Sequence, residues 1–145
     1  MRIISGKLKG KKILFLKSST TRPLKDSVKE SIFNIISHSN LLNINLTSSS
    51  ILDLYSGIGS FGLECVSRGV KEVIFVEKNK AAAEVLISNL VKLKINNNAK
   101  VIVNDVKQFL NSKNSKKFDI IFLDPPYKDD EYLQNLDLIK QDKYF

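Results

Sequence analysis

The chain has one cysteine, one histidine and no tryptophan among its 145 residues. Lone Cys65 excludes an internal disulfide. His38 lies far from it in sequence, so the ligand spacing of a zinc site is missing and no metal is expected. No apolar run approaches about 18 residues, so no membrane-spanning helix is expected. The first residues lack the apolar core and small-residue cleavage site of a secretory signal. Without an export signal or a disulfide, the cytoplasm is the expected compartment. Acid is missing from the first 25 residues, which carry Arg2, Lys7, Lys9, Lys11, Lys12, Lys17, Arg22 and Lys25. From Asp26 onward fifteen basic and fifteen acidic residues cancel, so the whole net charge of +8 belongs to this N-terminal segment. An all-basic segment beside a neutral remainder suits a phosphate backbone. A solvated, lysine-rich tail has the same composition.

Gly6 and Gly10 punctuate two short runs, Met1–Ser5 and Lys12–Leu16, which predict a β-hairpin. After Thr21-Arg22-Pro23 a helix is expected, with capping-box spacing at Ser27-Val28-Lys29-Glu30 and an apolar face of Val28, Ile32, Ile35 and Ile36. Residues 38–50 are rich in Asn and Ser and read as a linker. Beyond them apolar runs and amphipathic stretches alternate. Strands are expected at Ile51–Tyr55, Val73–Val76, Lys100–Val103 and Phe118–Leu123, and helices at Phe61–Arg68, Lys80–Leu93, Val106–Leu110 and Asp130–Ile139. Such alternation predicts an α/β fold with a parallel, doubly wound sheet. Phe118–Leu123 is apolar except for Asp119 and predicts a central strand buried on both faces.

Gly57-Ile58-Gly59-Ser60-Phe61-Gly62 matches G-x-G-x-x-G between a strand and a helix. Glycine there permits a tight turn and close approach of a ligand to the backbone. The pattern alone also fits a dinucleotide site or a well-packed turn. Three acids narrow it. Asp53 lies four residues before Gly57, Glu77 ends the next strand, and Asp105 ends the third. Parallel sheets bind ligands at the carboxyl ends of their strands, so the three are expected to line one crevice. Asp53 suits the ammonium of S-adenosylmethionine better than a pyrophosphate. Glu77 is placed to accept from ribose hydroxyls, as it would for a nicotinamide cofactor too. Asp105 is placed for the adenine amino group, with Val106 beside the ring.

The last expected strand runs into Asp124-Pro125-Pro126-Tyr127, which holds two of the chain's three prolines. Proline fixes the backbone and removes an amide donor while leaving the carbonyl. A carboxylate and a backbone carbonyl converging on one point make a trap for an NH₂ group, which has two protons to donate. Holding both directs the nitrogen lone pair toward an incoming methyl group. Tyr127 offers a face on which an extruded base stacks. The motif therefore points to methylation of an exocyclic amino group. A rigid turn after a strand is its bland alternative.

These motifs resemble the class I amino-methyltransferases of nucleic acids. Arg2-Ile3-Ile4-Ser5-Gly6, Thr21-Arg22-Pro23-Leu24, Lys29-Glu30-Ser31-Ile32-Phe33-Asn34, Leu52-Asp53-Leu54-Tyr55-Ser56-Gly57-Ile58-Gly59 and Leu63-Glu64-Cys65-Val66-Ser67-Arg68-Gly69 resemble, more narrowly, the RsmD family. The resemblance implies a Rossmann-like, S-adenosylmethionine-dependent enzyme that methylates the N2 amino group of a guanine in 16S ribosomal RNA. It implies cofactor contacts from Asp53, Gly57, Gly59, Glu77 and Asp105, and base binding by Asp124, Pro125, Pro126 and Tyr127. It also implies an RNA-binding N-terminal segment with Arg22, joined on charge grounds by Arg2, Lys7, Lys9, Lys11 and Lys12. The expected partner is 16S RNA in a small subunit or assembly intermediate, bound by a monomer. Lys7 and Lys9 stand where the family tends to carry arginine and an aromatic, which loses bidentate and stacking contacts.

The resulting division is a basic RNA-binding segment with a short hairpin at 1–25, a helix and linker at 26–50, and a catalytic domain at 51–145. The family continues past Asp-Pro-Pro-Tyr with a helix and further strands, whereas 128–145 suffice for one helix. The parallel sheet is accordingly expected to lack its C-terminal strands, to expose its fourth strand as an edge, to bind cofactor weakly and to be less stable than a full-length homologue. Two other functions stay open: a DNA adenine-N6 methyltransferase, which uses the same trap, and a non-catalytic RNA-binding remnant.

Overall fold

The computed structural model describes residues 1–16, 24–39, 41–112, 116–141 and 144–145. Arg22, like the rest of Thr21-Arg22-Pro23, lies outside the described residues. Four strands, β1 (Ser50–Leu54), β2 (Glu72–Glu77), β3 (Ala99–Val103) and β4 (Ile120–Leu123), form one parallel sheet in the order β3-β2-β1-β4. The helices are α1 (Asp26–His38), α2 (Ser60–Ser67), α3 (Lys80–Lys92), α4 (Val106–Asn111) and α5 (Tyr132–Gln141). Among the described residues no helix is long and apolar enough to cross a membrane.

β1 is buried along its whole length, and the alternation of its side chains feeds two cores. Ile51 packs with Val73, Phe75, Phe61, Leu63, Leu86 and Phe33 on the face covered by α1, α2 and α3. Leu52 and Leu54 pack with Ile74, Val76, Phe109, Leu110 and Ile139 on the face covered by α4 and α5. Each such fully buried aliphatic side chain contributes about 1.5–3 kcal/mol, so β1 is the spine of both layers. The chain winds outward from β1 through β2 to β3, then returns to place β4 on the other side of β1. That reversal makes the carboxyl ends of β1 and β4 the topological switch point of the sheet, beyond which doubly wound sheets carry their ligand crevice.

Four expectations change. First, Met1–Ser5 and Lys12–Leu16 pair over a short stretch only: one antiparallel bridge, Arg2 to Lys12, flanked by the Ile3 and Ile13 amides donating to the Lys11 and Met1 carbonyls, makes a hairpin without extended strands. Backbone groups of Ile4, Ser5, Lys7, Leu8 and Leu14 are taken by helices instead. The Glu64 carboxylate accepts from the Ile4 and Ser5 amides, Ser67 bonds Ser5, Lys7 and Leu8, and the Asn89 amide both accepts from and donates to Leu14. Second, α1 starts at Asp26 without a side-chain cap, so the capping box at Ser27 does not form. Third, the buried face of α1 is Lys29, Phe33 and Ile36, while Val28 and Ile35 stay exposed. The cause is a buried charge: Lys29 Nζ donates to the Arg2 carbonyl and lies 3.9 Å from Glu64, which is itself fully buried on α2. Rotating the helix to bury Val28 would strand Glu64 without that neighbour. Fourth, β4 is not buried on both faces: its residues are half-buried, and it lies at the edge expected of a sheet without C-terminal strands, pairing among the described residues with β1 alone. Phe122 is covered on one face by Phe61, its ring centroid 4.0 Å away. Residues 1–16 and α1 share the core of the sheet's first face through Ile3, Ile13, Phe33 and Ile36.

Candidate active site

The loop after β1 forms the floor of the crevice. Gly57 and Gly59 have positive φ, and Gly59 is the left-handed residue that starts α2. A Cβ on Gly59 would meet Leu86 Cδ1 at 2.4 Å, whereas one on Gly57 would meet nothing within 4 Å. Gly59 is therefore a packing glycine, and Gly57 borders open space. Gly62 closes the motif differently: its Cβ would lie 2.2 Å from Phe75 and 2.9 Å from Asp53 Oδ2. The Ser56 hydroxyl in the same loop is buried and has no hydrogen-bond partner among the described residues.

Asp53 is almost wholly buried, and its Oδ2 accepts from the Gly62 amide at 3.0 Å. Burial pushes its carboxyl up to about 8, with smaller contributions from the Asp124 and Glu77 carboxylates and opposition from the Gly62 bond. Glu77, at the end of β2, binds the Gly57 amide with one oxygen and the Asn79 amide with the other, each at 2.7 Å. It thus ties the glycine loop to β2, and only its remaining lone pairs are left for a ribose. Asp105 caps α4 through Oδ1, accepting from Lys107 and Gln108, while Oδ2 sits 4.0 Å from Lys78 Nζ. Val106 behind it is buried. Among the described residues Asp53, Glu77 and Asp124 form no ion pair. Mutually repelling carboxylates without a counter-cation fit a ligand that brings positive charge. Among the described residues no three His, Cys, Asp or Glu side chains are grouped to hold a metal ion.

Leu123 pairs with Leu54, so Asp124 leaves the sheet beside Tyr55. Asp124 is exposed, yet partial desolvation raises its pKa above the ordinary value. The Pro126 carbonyl closes a turn by accepting from the Asp129 amide at 2.9 Å. The Pro125 carbonyl has no such partner among the described residues and is the better candidate to share an amino group with Asp124. Tyr127 is 99% exposed, its ring free to stack on a base.

The basic segment runs along α2. Met1 touches Ser60 at the start of the helix, and Lys7 bonds Ser67 at its end. Arg2 and Lys12 therefore sit nearer the crevice, while Lys7 and Lys9 sit beyond the far end of this eight-residue helix, about 12 Å away at 1.5 Å per residue. Arg2 is partly neutralised by Asp26 at 3.4 Å. Sequence reasoning missed Lys29 and Glu64; the signal was a lone acid inside the otherwise apolar run of α2. It also missed Tyr55, read only as the end of a strand, whose hydroxyl accepts from Asn135 Nδ2 at 2.7 Å.

A four-stranded parallel sheet with a glycine loop after its first strand and acids at the next strand ends is the Rossmann-like fold of class I methyltransferases. The chain belongs to the family described as conserved hypothetical protein 95, the RsmD family, whose model matches residues 1–145. Two curated relatives are described as ribosomal RNA small subunit methyltransferase D. That of Haemophilus influenzae is 38% identical over 88% of this chain, and that of Escherichia coli K12 is 33% identical over 88%. The chain spans 64% and 61% of their respective lengths. Among solved structures, the yhhF protein of Escherichia coli matches with a TM-score of 0.84 and 29% identity, over 98% of this chain and 72% of that one.

Proposed function

We propose that the chain transfers a methyl group from S-adenosylmethionine to the exocyclic N2 amino group of a guanine in small-subunit (16S) ribosomal RNA. The observation that carries this reading is the meeting, at the switch point, of unpaired carboxylates and an exposed Asp-Pro-Pro-Tyr loop. S-adenosylmethionine supplies an electrophilic methyl group on a sulfonium centre. Asp53 and Glu77 offset the positive charge of such a cofactor, Gly57 lets it approach the backbone, and Asp105 with Val106 borders its base. Asp124 and the Pro125 carbonyl hold the two amino protons of the target, and Tyr127 stacks on its ring. Positioning and fixed charge then supply most of the rate enhancement, and water takes the proton after transfer. The relatives' names and the basic segment support RNA over DNA as target, in a small subunit or its precursor. Such a target suits a cytoplasmic monomer.

The test is transfer from labelled S-adenosylmethionine to small ribosomal subunits, free ribosomal RNA and DNA in parallel, followed by nucleoside analysis. Label on guanine N2 is expected. Label on adenine in DNA would replace this reading with an adenine-N6 enzyme. No label, with salt-sensitive RNA binding retained, would replace it with a non-catalytic RNA-binding protein.

A further inference from the structure

We propose that Tyr55 is a positioning residue that ties the target-base loop to the cofactor loop, so that filling the crevice orders residues 124–131. This rests on the reading above and deepens it. Two non-glycine residues among those described have positive φ, Tyr55 and Lys94, both at 57°. Lys94 is accounted for: it follows the end of α3, where the Lys94 and Ile95 amides return to the Val91 and Leu90 carbonyls in a helix-terminating turn. Tyr55 ends no helix. A bulky residue in the left-handed region is disfavoured and persists only when its surroundings hold it there.

What holds Tyr55 is the other loop. Its hydroxyl accepts from Asn135 Nδ2 at 2.7 Å, at the start of α5. The phenol is partly removed from water and lies beside the Asp129 carboxylate, and both push its pKa up, so its proton stays on. Asp129 in turn donates its amide to the Pro126 carbonyl and accepts from the Glu131 amide at 2.8 Å. Asn135 is buried, and its Oδ1 finds no partner among the described residues. A buried unpaired amide oxygen is costly, yet it accompanies the one bond that Nδ2 makes to Tyr55. On the other side, the residue after Tyr55 is the first of the glycine loop. Ser56 bonds the Val76 carbonyl and accepts from Gly59, and Gly57 is held by Glu77. Tyr55 therefore joins the backbone that leads into the cofactor floor to α5, the helix that follows the Pro126 turn, through one side-chain hydrogen bond.

Tyr55→Phe keeps the ring and removes the bond. The measurement is amide hydrogen exchange of the segment 124–131 in the 145-residue chain, with and without S-adenosylhomocysteine, beside calorimetric binding of the same compound. In the wild type, binding is expected to slow exchange across 124–131 by about fivefold or more, the change in opening equilibrium that one hydrogen bond supports. Tyr55→Phe is expected to bind with affinity within about threefold of wild type and to lose that slowing. Asn135→Ser, which removes the donor from the α5 side, should lose it too. Binding without slowed exchange in the wild type, or slowing that persists in Tyr55→Phe, overturns this proposal alone. No binding by the wild type overturns the methyltransferase reading and this proposal with it.

Discussion

The two loops that face the crevice are built in opposite ways. The loop after β1 is buried and over-determined: Glu77 holds Gly57, Asp53 holds Gly62, and Ser56 bonds β2. The loop after β4 leaves an edge strand, exposes Asp124 and Tyr127, and is fixed by the turn at Pro126, by the Glu131 amide on Asp129 and, at its far end, by the bond of Asn135 on α5 to Tyr55. Under the proposed function the difference separates binding from chemistry. A loop already held in place receives a small ligand without reorganisation, whereas an exposed polar clamp is completed by the substrate that enters it. Substitutions in the first loop should therefore disturb folding and cofactor affinity together. Those in the second should disturb transfer with the free protein unchanged.

The largest effect is expected at Asp124. Asp124→Ala should lower methyl transfer to small subunits about a hundredfold to a thousandfold, the range for removing one fixed electrostatic contact at a reacting centre. Calorimetric affinity for S-adenosylhomocysteine should stay within a few fold. Equal losses of both would break the separation. Tyr127→Ala comes next. One base–aromatic stack contributes about 1–3 kcal/mol, so the RNA-side KM should rise, Tyr127→Phe should restore it, and the Tm should not move, because the ring touches water rather than protein.

On the first loop the glycines rank themselves. Gly62→Ala places a methyl group 2.2 Å from Phe75 and should lower the unfolding free energy in urea by about 1–3 kcal/mol, as overpacking does. Gly57→Ala meets no atom within 4 Å and should cost only the left-handed backbone, about 1–2 kcal/mol. A Gly57 variant less stable than the Gly62 variant would show that the open space beside Gly57 has been misassigned.

Local pattern carried the sheet well. The alternation of apolar runs with amphipathic stretches located the four strands and α1 to α5 of the described residues, because each has a period of its own, and left unmarked only the single turn of 3-10 helix at Leu46–Ser48 inside the expected linker. The positions of the three acids were legible for the same reason: Asp53, Glu77 and Asp105 fall at or just beyond strand ends, whose position the run lengths set. What pattern could not reveal was long-range. The hairpin is shorter than its sequence runs because Ile4, Ser5, Leu8 and Leu14 bond Glu64, Ser67 and Asn89, which lie some sixty or more positions away in the chain. The face of α1 turned on one buried lysine meeting one buried glutamate. Tyr55 read as a strand end because its partner, Asn135, lies eighty residues on. Each miss is a polar side chain satisfied across the fold, and hydrophobic periodicity is silent about polar partners.

The smallest effect tests the charge argument on which the first loop rests. The Asp53 carboxyl has an ordinary value of 3.8 and is pushed up to about 8 by burial. Below about pH 4 folded and unfolded chains both carry the proton, and the neutral acid's contribution to stability is fully present. Between about pH 4 and 8 the folded state binds more protons than the unfolded one, so this contribution declines as pH rises and is lost above the folded value. Asp53→Asn should flatten that decline in a Tm series from pH 5 to 9. Ligand binding should show the converse. A cation entering beside Asp53 favours the carboxylate, so binding at pH 7 should release a proton. Affinity should then rise toward pH 8, by at most about tenfold per pH unit. Calorimetry in two buffers of different ionisation enthalpy counts that proton. A wild type whose affinity for S-adenosylmethionine is flat from pH 6 to 8, with no proton released, would mean that the buried carboxylate faces the protein and not the ligand. The pocket would then be only a well-packed turn.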